Sequence, residues 1–180
     1  VEPPQSRGEP DTTETANWGL DIARDVRARR LTFDAPGVGA GVASTLSHSN
    51  VAGMEVVGAN TGLQPSTMTN MKAEIWWLCR TALQRTHEHV LFLEGHEEGQ
   101  EHPVEELLAL PSGDIESDAL CLQVSLVKWG KNDKGKIVIE KKEALSRRGI
   151  ASPDHADALM LTFVEPRRAP VAATGATRRN

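Results

Sequence analysis

Apolar positions recur along the chain with two different periods, and the switches between them mark the expected elements. From Thr12 to about Arg29 the apolar residues Ala16, Leu20 and Ala23 fall on one helical stripe, at spacings of four and three. Asp11 and Glu14 form a capping-box pattern at its start. Arg30-Leu31-Thr32-Phe33 reads as a short strand ending in Asp34. Gly37, Gly39 and Gly41 then alternate, which predicts a tight turn feeding a helix to about Leu46. Met54–Gly58 reads as a second core strand. Thr69 or Asn70 can cap a long helix through about Arg85, with Met71, Ile75, Leu78 and Ala82 on one face. Val90-Leu91-Phe92-Leu93 reads as a strand, and the acidic, His-bearing stretch from Glu94 to Glu101 as a surface loop.

Two further runs, Cys121–Trp129 and Lys136–Lys142, flank Gly130-Lys131-Asn132-Asp133-Lys134-Gly135, a hairpin pattern. Ser152-Pro153 opens the last helix, with Ser152 as N-cap and Pro153 at the first helical position. The pattern predicts a loop over residues 1–11, one domain over 12–164 and a disordered basic tail over 165–180. Strands interleaved with helices make the fold class α/β, and the hairpin adds antiparallel pairing to a mixed sheet.

The bulk numbers narrow the function. A chain of 180 residues suits one domain with its own core. Apolar residues at 39% and charged residues at 25% are an ordinary globular mixture. No apolar run approaches the length of a membrane span, and no leader pattern opens the chain. The first residue, Val1, leads us to expect a fragment or processed chain. Cys79 and Cys121 are too few for a disulfide framework and read as small buried hydrophobes. A net charge of −5 argues against gripping nucleic acid by charge alone, but a metal site needs carboxylates and can engage phosphates through its cations.

The chemistry concentrates in two distant places. Asp34 ends an apolar strand just before a glycine turn, where open α/β sheets bind ligands. Asp154 and Asp157 begin a helix three residues apart and share a face, while Ala156, Leu159, Met160 and Phe163 press that helix onto the sheet. Acids held at a core boundary call for a cationic partner, and oxygen donors suit Mg²⁺ or Mn²⁺. The plainer alternative is a helix-dipole aspartate and a turn aspartate. Lys141, Lys142, Arg147 and Arg148 form a basic cluster just upstream, placed to contact phosphate.

Three other patterns carry less. The glycine run misses the dinucleotide fingerprint, because Val42 stands where its last glycine belongs. Gly130–Lys136 matches the phosphate-loop spacing, yet Ile137 replaces the magnesium-binding hydroxyl and the segment joins two strands. His87, His89, His96 and His102 show no zinc spacing and read as solvated, and His155 reads as exposed.

Four segments, in order, resemble one family. Phe33–Val42 resembles the D-x-x-G-x-G-x-G-V segment of phage large terminase nuclease domains, and Asn70–Trp77 their N-x-[RK]-A-E-x-W helix. Gly135–Glu143 is similar to the strand before their last acid, and Arg148–Leu159 to their R-G-x-x-S-P-D-x-A-D-A-L ending. The resemblance implies an RNase H-like fold that cuts double-stranded DNA during genome packaging in the host bacterial cytoplasm. It implies two divalent ions, Mg²⁺ or Mn²⁺, with Asp34 and Asp157 catalytic and Asp154 an accessory ligand. Lys142, Arg147 and Arg148 would contact DNA phosphates, and the small terminase subunit and portal protein would be partners. The family's first-strand acid and its ATPase half have no counterpart in these residues, so an inert docking module is the alternative.

Overall fold

The computed structural model describes residues 3–8, 11–36, 39–49, 53–62 and 68–165. Helix α1 (Thr12–Asp25) opens as its cap pattern dictates: the Glu14 N–H donates to the Asp11 carboxylate at 2.8 Å. Its buried stripe is Ala16, Leu20 and Ala23. The helix stops short of Arg29, because Arg27 turns into the left-handed region (φ 52°) and redirects the chain into β1 (Arg30–Asp34).

β1 pairs in parallel with β2 (Glu55–Ala59), with Leu31 opposite Val56 and Asp34 opposite Ala59. The period-two pleat sorts this pair into two faces. Leu31, Phe33 and Val56 pack with Ala16, Leu20 and Leu46, under α1 and α2 (Gly39–His48). Val57 and Ala59 face the main core of Ile75, Trp76, Cys79, Leu120, Ala156, Leu159 and Met160. Asp34, level with Ala59, belongs by register to that second face.

Helix α3 (Met71–Leu93) is capped by Asn70, whose side chain accepts the Ala73 N–H at 2.9 Å. It runs past Arg85 and absorbs Val90–Leu93, the expected strand. No glycine or proline interrupts the helix before Gly95, which ends it at φ 80°, and Phe92 and Leu93 stand 42% and 70% exposed, not in a core. A 3₁₀ turn (Val104–Glu106) follows.

The run from Cys121 is likewise helical up to Leu126, within α4 (Ile115–Leu126). Asp114 caps α4 by accepting the buried Ser117 hydroxyl and the Ser117 N–H at 2.9 Å, which in that order hold its carboxyl below the usual range. That cap commits the run to a helix, which Leu122, Gln123 and Leu126 favour.

The hairpin proper is shorter than expected, β3 (Trp129–Lys131) with β4 (Ile137–Ile139). Asn132 folds the turn by accepting the N–H groups of Lys134 and Lys136, each at 3.0 Å. Among the described residues, parallel and antiparallel pairings thus occupy two small sheets instead of one continuous mixed sheet. Lys142 opens α5 (Lys142–Arg147) and does not end a strand.

Helix α6 (Asp154–Leu161) closes the core with Ala156, Leu159 and Met160. Its cap position is Pro153, not Ser152, whose hydroxyl turns to Asp154 at 2.6 Å. Residues 166–180 of the expected tail lie outside the described residues. Among the described residues, no helix is long and apolar enough to cross a membrane.

Candidate active site

Asp34 and Asp157, far apart in sequence, line one small cavity of about 60 Å³ together with Thr61, Lys72, Ile75, Trp76, Met160 and Leu161. Two packing decisions bring the acids there. The pleat of β1 sends Asp34 to the α3–α6 side. The apolar stripe of α6 presses its first turn against α3, and Asp157 lies in that turn.

Asp34 is exposed, and its Oδ1 accepts the Thr61 hydroxyl at 3.3 Å. Helix α2 begins so close behind it that a Cβ on Gly39 would overlap the Asp34 carbonyl. The expected close backbone passage past Asp34 therefore exists at Gly39, while Gly37 lies outside the described residues. Gly58 is similarly constrained on β2, where a Cβ would press on the Phe33 ring at 3.1 Å.

Asp157 is more enclosed, with 27% of its side chain exposed. Lys72 places its ammonium across both carboxylate oxygens, at 2.9 Å from Oδ1 and 3.2 Å from Oδ2. Lys142 approaches Oδ2 at 3.4 Å and Asp154 at 3.5 Å, so the two α6 acids do share a face. Asp154, 77% exposed, stands at the rim and outside the cavity lining.

The basic cluster divides. Lys142 is 53% exposed and stays beside the acids. Lys141 and Lys142 also line a neighbouring cavity of about 370 Å³, with Thr69, Asn70 and Lys72. The Arg147 Nε–H donates to the Glu143 carbonyl at 3.2 Å on the exposed face of α5. Arg148 is held elsewhere, bonded to Glu140 and to the Leu126 carbonyl. That hydrogen bond is the main reason the Glu140 carboxyl is held below its usual range.

Lys72 and Thr61 are the site residues that the sequence pattern did not single out. For Lys72 a signal existed, since it is the basic position of the Asn70–Trp77 segment, two residues past the cap. Thr61 has no local signal, because only the fold brings it to Asp34.

The histidines are less uniformly solvated than expected. His87 and His96 are exposed, but His102 pairs with Glu88 at 2.8 Å and its N–H donates to the His89 ring at 3.0 Å. His155 is only 15% exposed and meets Glu116 at 2.8 Å. Cys79 is buried, which pushes its thiol up to about 12, while Cys121 is only half-buried.

Among the described residues, no group of three or more His, Cys, Asp or Glu could hold a metal ion. The pair at the cavity nevertheless has donor chemistry suited to a hard divalent cation: two carboxylates and a hydroxyl, with neither thiolate nor imidazole in the lining. Asp157 already draws two ammonium groups, so the site favours positive charge. Trp76 lines the same cavity, and its indole N–H, among the described residues, is buried without a partner. A larger cavity of about 460 Å³ opens at the Arg29–Thr32 end of β1. Its one lining acid, Glu55, is tied to Arg30 at 2.8 Å, which leaves it no comparable chemistry.

No family model and no curated protein matches the chain. Solved structures do. The chain is similar to the nuclease domain of the large terminase subunit gp2 of bacterial virus Sf6, at 21% identity and a TM-score of 0.68, over 86% of this chain and 73% of that one. A lysine-to-alanine variant of that domain with manganese matches at 20% identity and the same TM-score, over 86% of this chain and 74% of that one. The variant with calcium matches at 20% identity and a TM-score of 0.68, over 86% and 73%. The chain thus has the fold of that nuclease domain, and the expected RNase H-like α/β class is the observed one.

Proposed function

We propose that this chain is a metal-dependent endonuclease domain that hydrolyses phosphodiester bonds of double-stranded DNA during phage genome packaging. One observation carries the reading: Asp34 and Asp157 line a single cavity beside two lysines, in a fold shared with a terminase nuclease domain. Divalent ions held there would activate water and stabilise the leaving oxygen. In the two-ion form of the reading, Asp34 and Asp157 would hold the ions, with Asp154 as an accessory ligand. The Thr61 hydroxyl orients Asp34. Lys142 offers an exposed ammonium to a phosphate, and Arg147 extends the basic face. On the same reading the chain works in the host bacterial cytoplasm with a terminase small subunit and a portal protein.

The test is cleavage of supercoiled plasmid in Mn²⁺ or Mg²⁺. Nicking and linearisation with little sequence preference are expected, because phosphate contacts carry no sequence information. Asp157→Ala should lower the rate by about 10³-fold or more, since metal stabilisation is worth several kcal/mol at the transition state.

A second reading has its own observation. No group of three ligands exists among the described residues, which favours a module that binds DNA or packaging proteins without cutting. Retention of DNA without cleavage, under metal that measurably binds, would decide for it.

A further inference from the structure

Lys72 connects the two acids of the site. Its backbone N–H donates to the Thr61 carbonyl at 3.0 Å, and the Thr61 hydroxyl in turn donates to Asp34. Its side chain runs the other way, to both oxygens of Asp157. One residue at the start of α3 therefore ties the segment that orients Asp34 to the helix that carries Asp157. Lys142 plays no equivalent part. It is 53% exposed against 29% for Lys72, it divides itself between two acids, and it does not line the shared cavity.

We infer that the Lys72 ammonium stands in the cation position of the Asp34–Asp157 site, so that a divalent metal binds by displacing it from Asp157. The inference rests on the metal-dependent reading above and deepens it by making Lys72 a positioning residue. The physical reason is charge. Two carboxylates at one small cavity repel each other unless a cation lies with them, and a partly buried ammonium supplies that cation within the chain itself. A metal taking the same carboxylate meets a like charge at short range, and the ammonium must leave. It has somewhere to go, because Lys72 also lines the neighbouring cavity, whose lining includes the Glu140 and Glu143 carboxylates as well as Lys141 and Lys142. There the displaced ammonium would meet opposite charge from Glu143.

Calorimetric titration of Mn²⁺ into the 180-residue protein tests this without any activity readout. Lys72→Met keeps the aliphatic stem and removes the charge, and should bind Mn²⁺ about tenfold more tightly than the parent. Lys72→Arg restores the charge and should return to within about threefold of the parent, and Lys142→Met should shift affinity less than Lys72→Met. A folding failure of Lys72→Met leaves the parent itself to decide. In Nζ-labelled parent protein, saturating Mg²⁺ should move the Lys72 ammonium resonance and leave that of Lys131 in place. Equal or weaker Mn²⁺ binding by Lys72→Met, or an unmoved Lys72 resonance at saturation, overturns the displacement inference alone. No Mn²⁺ binding by the parent or any variant overturns the metal site and the inference together.

Discussion

At one end of α3, Lys72 meets Asp157; at the other, Glu88 meets His102 at 2.8 Å. Both pairs are partly buried, yet their surroundings differ. Glu88 also accepts the Gln84 amide at 2.8 Å, and its carboxyl is held below the ordinary range first by that bond and then by His102. His102 is fixed further by its backbone bond to His89. Every partner of Glu88 is a local donor, and the group folds the 94–103 loop back onto its helix. The Asp157 corner instead faces a second carboxylate across a cavity and gathers two ammonium groups. A self-satisfied pair holds structure, whereas an acid pair that needs positive charge is where a ligand can enter.

The largest expected effect breaks this comparison directly. At a Mn²⁺ concentration about 100 times its dissociation constant, metal should stabilise the fold by about 2.7 kcal/mol over EDTA. A thermal melt would read that as a rise of several degrees. An Asp34→Asn/Asp157→Asn double variant should lose the rise, and a Glu88→Gln/His102→Gln double variant should keep it. The reverse pattern would place the metal at the wrong end of α3.

Two glycines sharpen the contrast next. Gly39→Ala forces a methyl into the Asp34 carbonyl and should cost about 1–3 kcal/mol in a urea melt, with Mn²⁺ binding weakened as well. Gly95→Ala, at φ 80° with open space around it, should cost about 1 kcal/mol and leave Mn²⁺ binding unchanged.

A smaller effect separates the basic residues. Lys142→Ala should weaken binding evenly across DNA sequences and lower its salt sensitivity, with little change in melting temperature. Arg148→Ala should do the opposite, lowering the melting temperature by orphaning Glu140 while altering DNA binding less.

The smallest effect is a pH dependence at the Glu88 end. Because its folded pKa is lowered, its stabilising contribution is present above the ordinary carboxylate range and is lost as pH falls through the lowered value. The melting-temperature gap between the parent and Glu88→Gln should therefore shrink as pH drops from 7 to below about 4.

Much of this was written in local sequence. The Asp11 and Asn70 caps, the Ala16-Leu20-Ala23 stripe and the β1 and β2 strands depend on neighbours within a few residues, and the structure keeps them. Asp34, Asp154 and Asp157 were legible for the same reason, as acids at element ends beside apolar runs. Val90–Leu93 and Cys121–Leu126 were misread because short apolar runs fit either period. What decided them lay outside the runs: the unbroken helix upstream of Gly95 in one case, the Asp114 cap in the other. Long-range packing alone settled the site itself. The pleat of β1 and the buried face of α6 chose which side each acid occupies, and the start of α3 brought Lys72 and Thr61 between them. That choice belongs to the core, because burying Ala59, Trp76, Ala156 and Met160 together fixes where the polar residues beside them must stand.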